Sequence, residues 1–133
     1  MNFFEQELRN LFHELPEFKD AKYIGRSCIV PIDNELKIKA EFITCGVMDN
    51  YEALKLTAIN RSDGKVDQLT LHFSDYFQKV KIFGNLRTPY IWIYNGTPKW
   101  YQEPAPSDKE ALADAACKYI GVFTQQNNLR MEF

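Results

Sequence analysis

The sequence predicts an α+β fold, a single antiparallel sheet of five to six strands with an N-terminal and a C-terminal helix packed on one face. Residues 2–15 and 107–123 repeat their apolar positions at helical spacing. Between residues 23 and 102 the period is two, and short turns join the apolar segments, so neighbouring strands are antiparallel. The resulting order, α-β-β-β-β-β-β-α, lacks the strand–helix alternation of a parallel sheet.

The length and composition are those of one folded domain, residues 1–133. A chain of 133 residues buries roughly two thirds of its unfolded surface, enough for a core without metal or disulfide support. Hydrophobic residues make up 45% of the chain and aromatic residues 14%, far from a disordered composition. The polar tail 125–133 is expected to fray.

The first helix is predicted over residues 2–15. Asn2 is the expected N-cap, with Glu5 three positions on, and Pro16 ends the helix. Glu5, Glu7, Arg9 and Glu14 lie off the apolar stripe. The stripe itself consists of Phe4, Leu8, Leu11, Phe12 and Leu15.

The strands are predicted from alternating apolar and polar positions. Residues 23–30 form the first strand, and 36–42, 54–58 and 69–73 follow, the last two joined by a turn at Asp63 and Gly64. Residues 74–88 look irregular. Residues 90–94 and 99–102 form a hairpin around Asn95 and Gly96, and a capping box at Ser107 and Glu110 opens the second helix.

The bulk chemistry argues against several functional classes. A net charge of −2 disfavours general binding to a phosphate backbone. The three cysteines, Cys28, Cys45 and Cys117, have no close spacing, so we expect neither a disulfide framework nor a zinc site. No apolar leader or membrane span stands out, which predicts a cytoplasmic protein without membrane contact. We predict no metal, no cofactor and no catalytic residue.

One enzymatic alternative stays open. His72 on the outward face of a strand could act as a general base near Asp67 or Asp75, or pair with Cys28 or Cys45. A solvent-exposed histidine and small buried cysteines explain the same residues more simply.

Aromatic side chains concentrate on the last hairpin. Tyr90, Trp92 and Tyr94 share one face while Ile91 and Ile93 share the other, so burial of the isoleucines would turn the aromatic row outward. Trp100 and Tyr101 follow on the partner strand. Such residues are typical of interface hot spots or base-stacking platforms, although cross-strand aromatic pairs also stabilise hairpins.

A basic patch is the second candidate binding feature. Lys37, Lys39 and Lys55 lie on the polar face of adjacent strands, and Arg26 is close in the predicted sheet. With aromatics nearby, the patch suits single-stranded nucleic acid or a nucleotide. Lysines on the wet face of a sheet also serve solubility.

Several stretches together resemble a known family. They are residues 2–12 (NFFEQELRNLF), 23–26 (YIGR), 51–55 (YEALK) and 89–96 (PYIWIYNG), with Asn60, Arg61, Gly64, Val66, Asp67, Trp100 and Tyr101. The set resembles small proteins carried on conjugative elements, plasmids and phages of Firmicutes and other gut bacteria. The resemblance implies a genomic setting in which small non-enzymatic proteins often occlude a host protein, including defence nucleases of the CRISPR type.

Three hypotheses follow from the sequence. The first is a non-enzymatic accessory protein of mobile elements that binds a host protein, acting in counter-defence as an anti-CRISPR protein does. The second is a binding module for single-stranded nucleic acid or a nucleotide-like signal, which the net charge does not favour. The third is an enzyme using His72. A homodimer is compatible with an exposed aromatic hairpin.

Overall fold

The computed structural model describes residues 2–44, 50–82 and 84–131. It confirms the predicted α+β fold, a curled antiparallel sheet with helices from both ends of the chain. In chain order the elements are α1 (Phe3–Phe12), a 3-10 turn (Pro16–Phe18), β1 (Lys22–Ile24), β2 (Ser27–Pro31), β3 (Leu36–Thr44), β4 (Tyr51–Asn60), β5 (Gly64–His72), α2 (Phe73–Tyr76), β6 (Val80–Ile82), β7 (Asn85–Arg87), β8 (Ile91–Tyr94), β9 (Thr97–Trp100) and α3 (Pro106–Met131).

The main sheet has seven strands in the order β1-β2-β3-β4-β8-β9, with β5 also paired to β4. Every pairing is antiparallel. Residues 53–60 of β4 pair with β5, whereas Tyr51 at the start of β4 pairs with Ile91 of β8. The β8–β9 hairpin therefore extends the sheet beyond the end of β5.

The helix α1 begins where the sequence predicts. The side-chain oxygen of Asn2 accepts a hydrogen bond from the backbone N–H of Glu5 at 2.8 Å, as an N-cap does. Phe4, Leu8 and Phe12 are buried on the sheet. Leu112, Ala116 and Ile120 of α3 join the same core, so both terminal helices cover one face.

The central strands have the predicted inward and outward residues. Ile38, Ala40 and Phe42 of β3 and Leu54, Leu56 and Ala58 of β4 are buried under the helices. We call the opposite side of the sheet, on which none of the described helices packs, the open face. Lys37, Lys39 and Glu41 of β3 lie there, because side chains alternate along a strand.

The local structure differs from the sequence prediction in three places. Residues 23–30 form two strands because Gly25, at φ +60°, turns the chain between β1 and β2. Part of the segment 74–88 forms the separate hairpin β6–β7, and α2 replaces the end of the fourth predicted strand.

The start of α3 also differs, since the helix begins at Pro106 rather than after Ser107. Proline suits a first helical position, because its fixed φ is helical and its missing N–H needs no partner. The backbone is helical to Met131, within the tail 125–133 for which the sequence predicts fraying. None of the helices in the described part of the chain has the length and hydropathy that crossing a membrane requires.

Candidate functional site

The β8–β9 hairpin has a two-residue turn that sets which side chains share a face. Asn95 and Gly96 both have positive φ, 52° and 79°, the conformation that asparagine–glycine turns favour. Tyr94 then pairs with Thr97, Trp92 with Lys99, and Ile91 with Trp100. Ile91 faces the core, so Trp92, Tyr94 and Lys99 face the opposite way, on the open face.

Three rings form a continuous row on that face, which we call the aromatic ridge: Trp92, Tyr94 and Tyr101. The Trp92 ring stacks with Tyr94 at a centroid distance of 5.0 Å and with Tyr101 at 5.4 Å. Tyr94 is 57% exposed, and Trp92 and Tyr101 are partly exposed. The register places Tyr94 and Tyr101 on opposite sides of Trp92 along the strands.

Two residues that the sequence analysis missed complete the ridge. The Lys99 ammonium lies 4.7 Å from the centroid of the Trp92 ring, within the range of a cation–π contact. The Asn50 amide nitrogen donates to the Tyr101 hydroxyl oxygen at 3.1 Å. Lys99 could have been found from the sequence, because the two-residue turn places it opposite Trp92.

Trp100 is not part of this surface, and its assignment to a binding site was wrong. The side chain is only 8% exposed and packs against Phe73 and Phe77 in the core. Its indole N–H donates to the Glu7 carboxylate at 3.1 Å. The reason is the register, since Trp100 lies opposite Ile91 and must share its inward direction.

Tyr90 lies at the margin of the ridge. It is half-buried and packs partly against the core, and its carbonyl accepts the Tyr101 N–H at 3.3 Å. It therefore supports the ridge from the side and contributes less exposed surface than Tyr94 does.

The predicted basic patch is partly neutralised. The Lys39 ammonium lies 3.4 Å from the Glu41 carboxylate, and Glu41 pairs directly with Lys55 across β3 and β4. Two positive charges and one negative charge are thus interleaved on the open face. Lys37 is exposed nearer the other end of the strand.

Arg26 does not join the lysines. Its guanidinium donates a hydrogen bond to the Tyr51 hydroxyl and lies 5.7 Å from the centroid of that ring. Tyr51 itself is buried against Phe4 of α1, on the helical side of the sheet. Arg26 therefore anchors the β1–β2 turn to the core, and its inclusion in the basic patch was wrong.

Cys28 and Asp67, two of the residues that the sequence offers as catalytic partners of His72, lie on the opposite side of the sheet from it. Cys28 is fully buried on the helical side, and burial raises the pKa of its thiol to about 12, which disfavours the reactive thiolate. His72 is exposed and pairs with Ala53, whereas Asp67 accepts a hydrogen bond from the Tyr119 hydroxyl of α3 at 2.8 Å, on the helical side. Cys45 lies outside the described residues.

Within residues 2–44, 50–82 and 84–131, no three histidine, cysteine, aspartate or glutamate side chains are grouped so that they could hold a metal ion. The aromatic ridge is a feature of the described surface that resembles a protein-binding site.

Comparisons with known proteins do not assign the chain to a family. No family model, no curated protein and no solved structure matches it.

Proposed function

We propose that this chain is a non-enzymatic binding protein and that the aromatic ridge docks on the surface of a partner protein. The observation that carries the proposal is the stacked row of Trp92, Tyr94 and Tyr101 on the open face of the sheet. Tryptophan and tyrosine are the residues most enriched among binding hot spots, where one truncation costs about 2 kcal/mol or more.

The stacking favours a protein over a base as the ligand. A base-binding platform needs an open ring face, and Trp92 offers none because both of its neighbours already stack on its ring, which leaves Tyr94 as the exposed ring of the row. Insertion of a base would separate a stacked pair and forfeit about 0.5–1.5 kcal/mol for each contact. A pre-formed ridge, by contrast, loses little conformational entropy when it enters a groove on a protein.

The biological setting that we propose comes from the family resemblance. A small protein of mobile elements that binds a host protein in the cytoplasm needs an exposed contact surface and no catalytic centre. Counter-defence by occlusion of a host nuclease, as anti-CRISPR proteins act, is the particular role that we propose within this setting.

Affinity capture tests the proposed contact surface. The wild-type chain and the double variant Trp92→Ala/Tyr94→Ala are immobilised and exposed to lysate of a Firmicute host, and captured proteins are quantified by mass spectrometry. Lys118→Ala, at an exposed position on α3, is the matched control. We expect a protein that wild type and the control retain equally and the double variant loses. Equal retention by all three chains would refute the assignment of the ridge.

A second experiment tests the alternative that the ridge binds nucleic acid, which one feature of the sequence favours. Between Asp75 and Glu103 the sequence has no acidic residue and four basic ones, Lys79, Lys81, Arg87 and Lys99. Fluorescence anisotropy of a labelled 20-nucleotide oligothymidylate should show no binding at physiological salt. Binding that weakens steeply with salt and requires Trp92 would show that the ligand of the ridge is single-stranded nucleic acid rather than a protein.

A further inference from the structure

A groove lies on the open face of the sheet at the end remote from the aromatic ridge. Its volume is about 650 Å³, within the range of small-molecule sites. It borders Ile59, eight positions along β4 from Tyr51, where the β8–β9 hairpin joins the sheet. At roughly 3.3 Å per residue, about 26 Å of strand separates the groove from the ridge.

The turns at the mouth of the groove are held by local hydrogen bonds. The Asp33 carboxylate accepts the backbone N–H groups of Glu35 at 2.7 Å and Leu36 at 2.8 Å. The Arg61 N–H then donates to the Glu35 carbonyl at 2.6 Å, which ties the turn between β2 and β3 to the turn between β4 and β5. The groove is therefore pre-organised between two linked turns.

The wall of the groove is apolar and its rim is basic. Ile29 and Ile59 line it, and each is half-buried, so apolar surface remains uncovered inside the groove. Lys22, Lys37 and Arg61 lie around it and are exposed. Among the described residues, none of these three side chains forms an ion pair. The three cations exceed the two carboxylates of the lining, Asp33 and Glu35, by one charge.

We propose that this groove binds a small amphipathic organic anion. The apolar body of the ligand lies on Ile29 and Ile59, and its anionic group meets Lys37 and Arg61. Burying apolar ligand surface supplies most of the affinity, and the cations supply orientation and selectivity for negative charge. The site is independent of the ridge and of the partner proposed for it.

A matched pair of fluorescent probes tests the proposal. 1-Anilinonaphthalene-8-sulfonate has an apolar body and one negative charge, and N-phenyl-1-naphthylamine has the same body without the charge. Each is titrated into the wild-type chain, the variants Lys37→Glu and Arg61→Glu, and the control Lys118→Glu, which makes the same charge change on α3. Circular dichroism confirms that each variant is folded.

We expect saturable one-to-one binding of the sulfonate, with weaker binding of the neutral probe. Each groove variant should weaken sulfonate binding roughly tenfold, because reversal of a charge a few Å from the anion changes attraction to repulsion. Lys118→Glu and Trp92→Ala should leave it unchanged. Equal affinity for both probes, no effect of the groove variants, or no saturable binding would each overturn the proposal.

Discussion

Removing the Lys109 ammonium tests how much the buried Glu7 carboxylate stabilises the packing of the helices α1 and α3 on the β8–β9 hairpin. Glu7 of α1 is 7% exposed, and its Oε2 atom accepts the Trp100 indole N–H and lies 3.3 Å from the Lys109 Nζ atom of α3. Lys109 also reaches the exposed Glu103 carboxylate. The substitution Lys109→Met keeps an unbranched apolar side chain one atom shorter than lysine and deletes the charge.

The expected loss of stability follows from the Glu7 charge, which remains buried without its cationic partner. At 3.3 Å and an effective dielectric constant of 20, the attraction between Lys109 and Glu7 is about 5 kcal/mol before desolvation is counted. Breaking a buried pair by removing one partner costs 3–5 kcal/mol in general. Because the Lys109 side chain is 18% exposed and water can reach it, we expect Lys109→Met to lower the free energy of unfolding by about 2–4 kcal/mol.

A double-variant cycle separates the ion pair from simple loss of packing. In Glu7→Gln/Lys109→Met the amide oxygen of glutamine still accepts the Trp100 N–H, and no buried charge remains. The free energy of unfolding of the double variant should therefore be only about 1 kcal/mol lower than that of wild type. The double variant should thus be more stable than Lys109→Met alone. Glu103→Gln, a change at an exposed partner, should cost about 0–1 kcal/mol. Urea unfolding followed by circular dichroism measures wild type, the single variants Glu7→Gln and Lys109→Met, the double variant and Glu103→Gln. Additive losses in the double variant would refute the pairing.

Three further predictions concern the hairpin and the core. Trp100→Ala should lower the free energy of unfolding in urea by about 3–5 kcal/mol, and Trp92→Ala by only about 1–2 kcal/mol; equal losses would contradict their different burial. Gly96→Ala should cost about 1 kcal/mol in the same assay because φ is +79°, whereas Asn95→Gly should be nearly neutral; no loss for Gly96→Ala would contradict the turn. Burial raises the Cys28 pKa from 9 to about 12, so any stability from the neutral thiol is complete below pH 9 and is lost as the pH rises towards 12. With the other two cysteines changed to serine, its reaction with a maleimide at pH 8 should be roughly a thousandfold slower in the native chain than in urea, and equal rates would contradict burial.

The sheet was predictable because alternation along each strand is a local signal. Buried Ile38 and Leu56 and exposed Lys37 follow directly from a period of two. The position of Trp100 was also predictable, since a two-residue turn at Asn95 and Gly96 fixes its partner as Ile91. Reading the aromatic residues as one cluster, without this register, was the error.

Contacts between distant parts of the chain were beyond sequence reasoning. Glu7 looks like a solvent-exposed helix residue until Trp100, 93 positions away, supplies a donor for its carboxylate. Arg26 looks like part of a basic face until the Tyr51 hydroxyl accepts its hydrogen bond. Helical and strand periodicity says which side of an element is buried, but the partner of a polar group depends on how elements pack.

The ridge as contact surface is tested most directly by site-specific photocrosslinking. A benzoylphenylalanine replaces Tyr94 on the ridge or, in the matched chain, Lys118 on α3, and each chain is irradiated in host lysate. The account predicts a crosslinked protein from position 94 that is missing from position 118 and is lost when Trp92→Ala is added. A product from position 118 alone, the same product from both positions, or none from position 94 would contradict the claim that the open face binds a partner through its aromatic ridge.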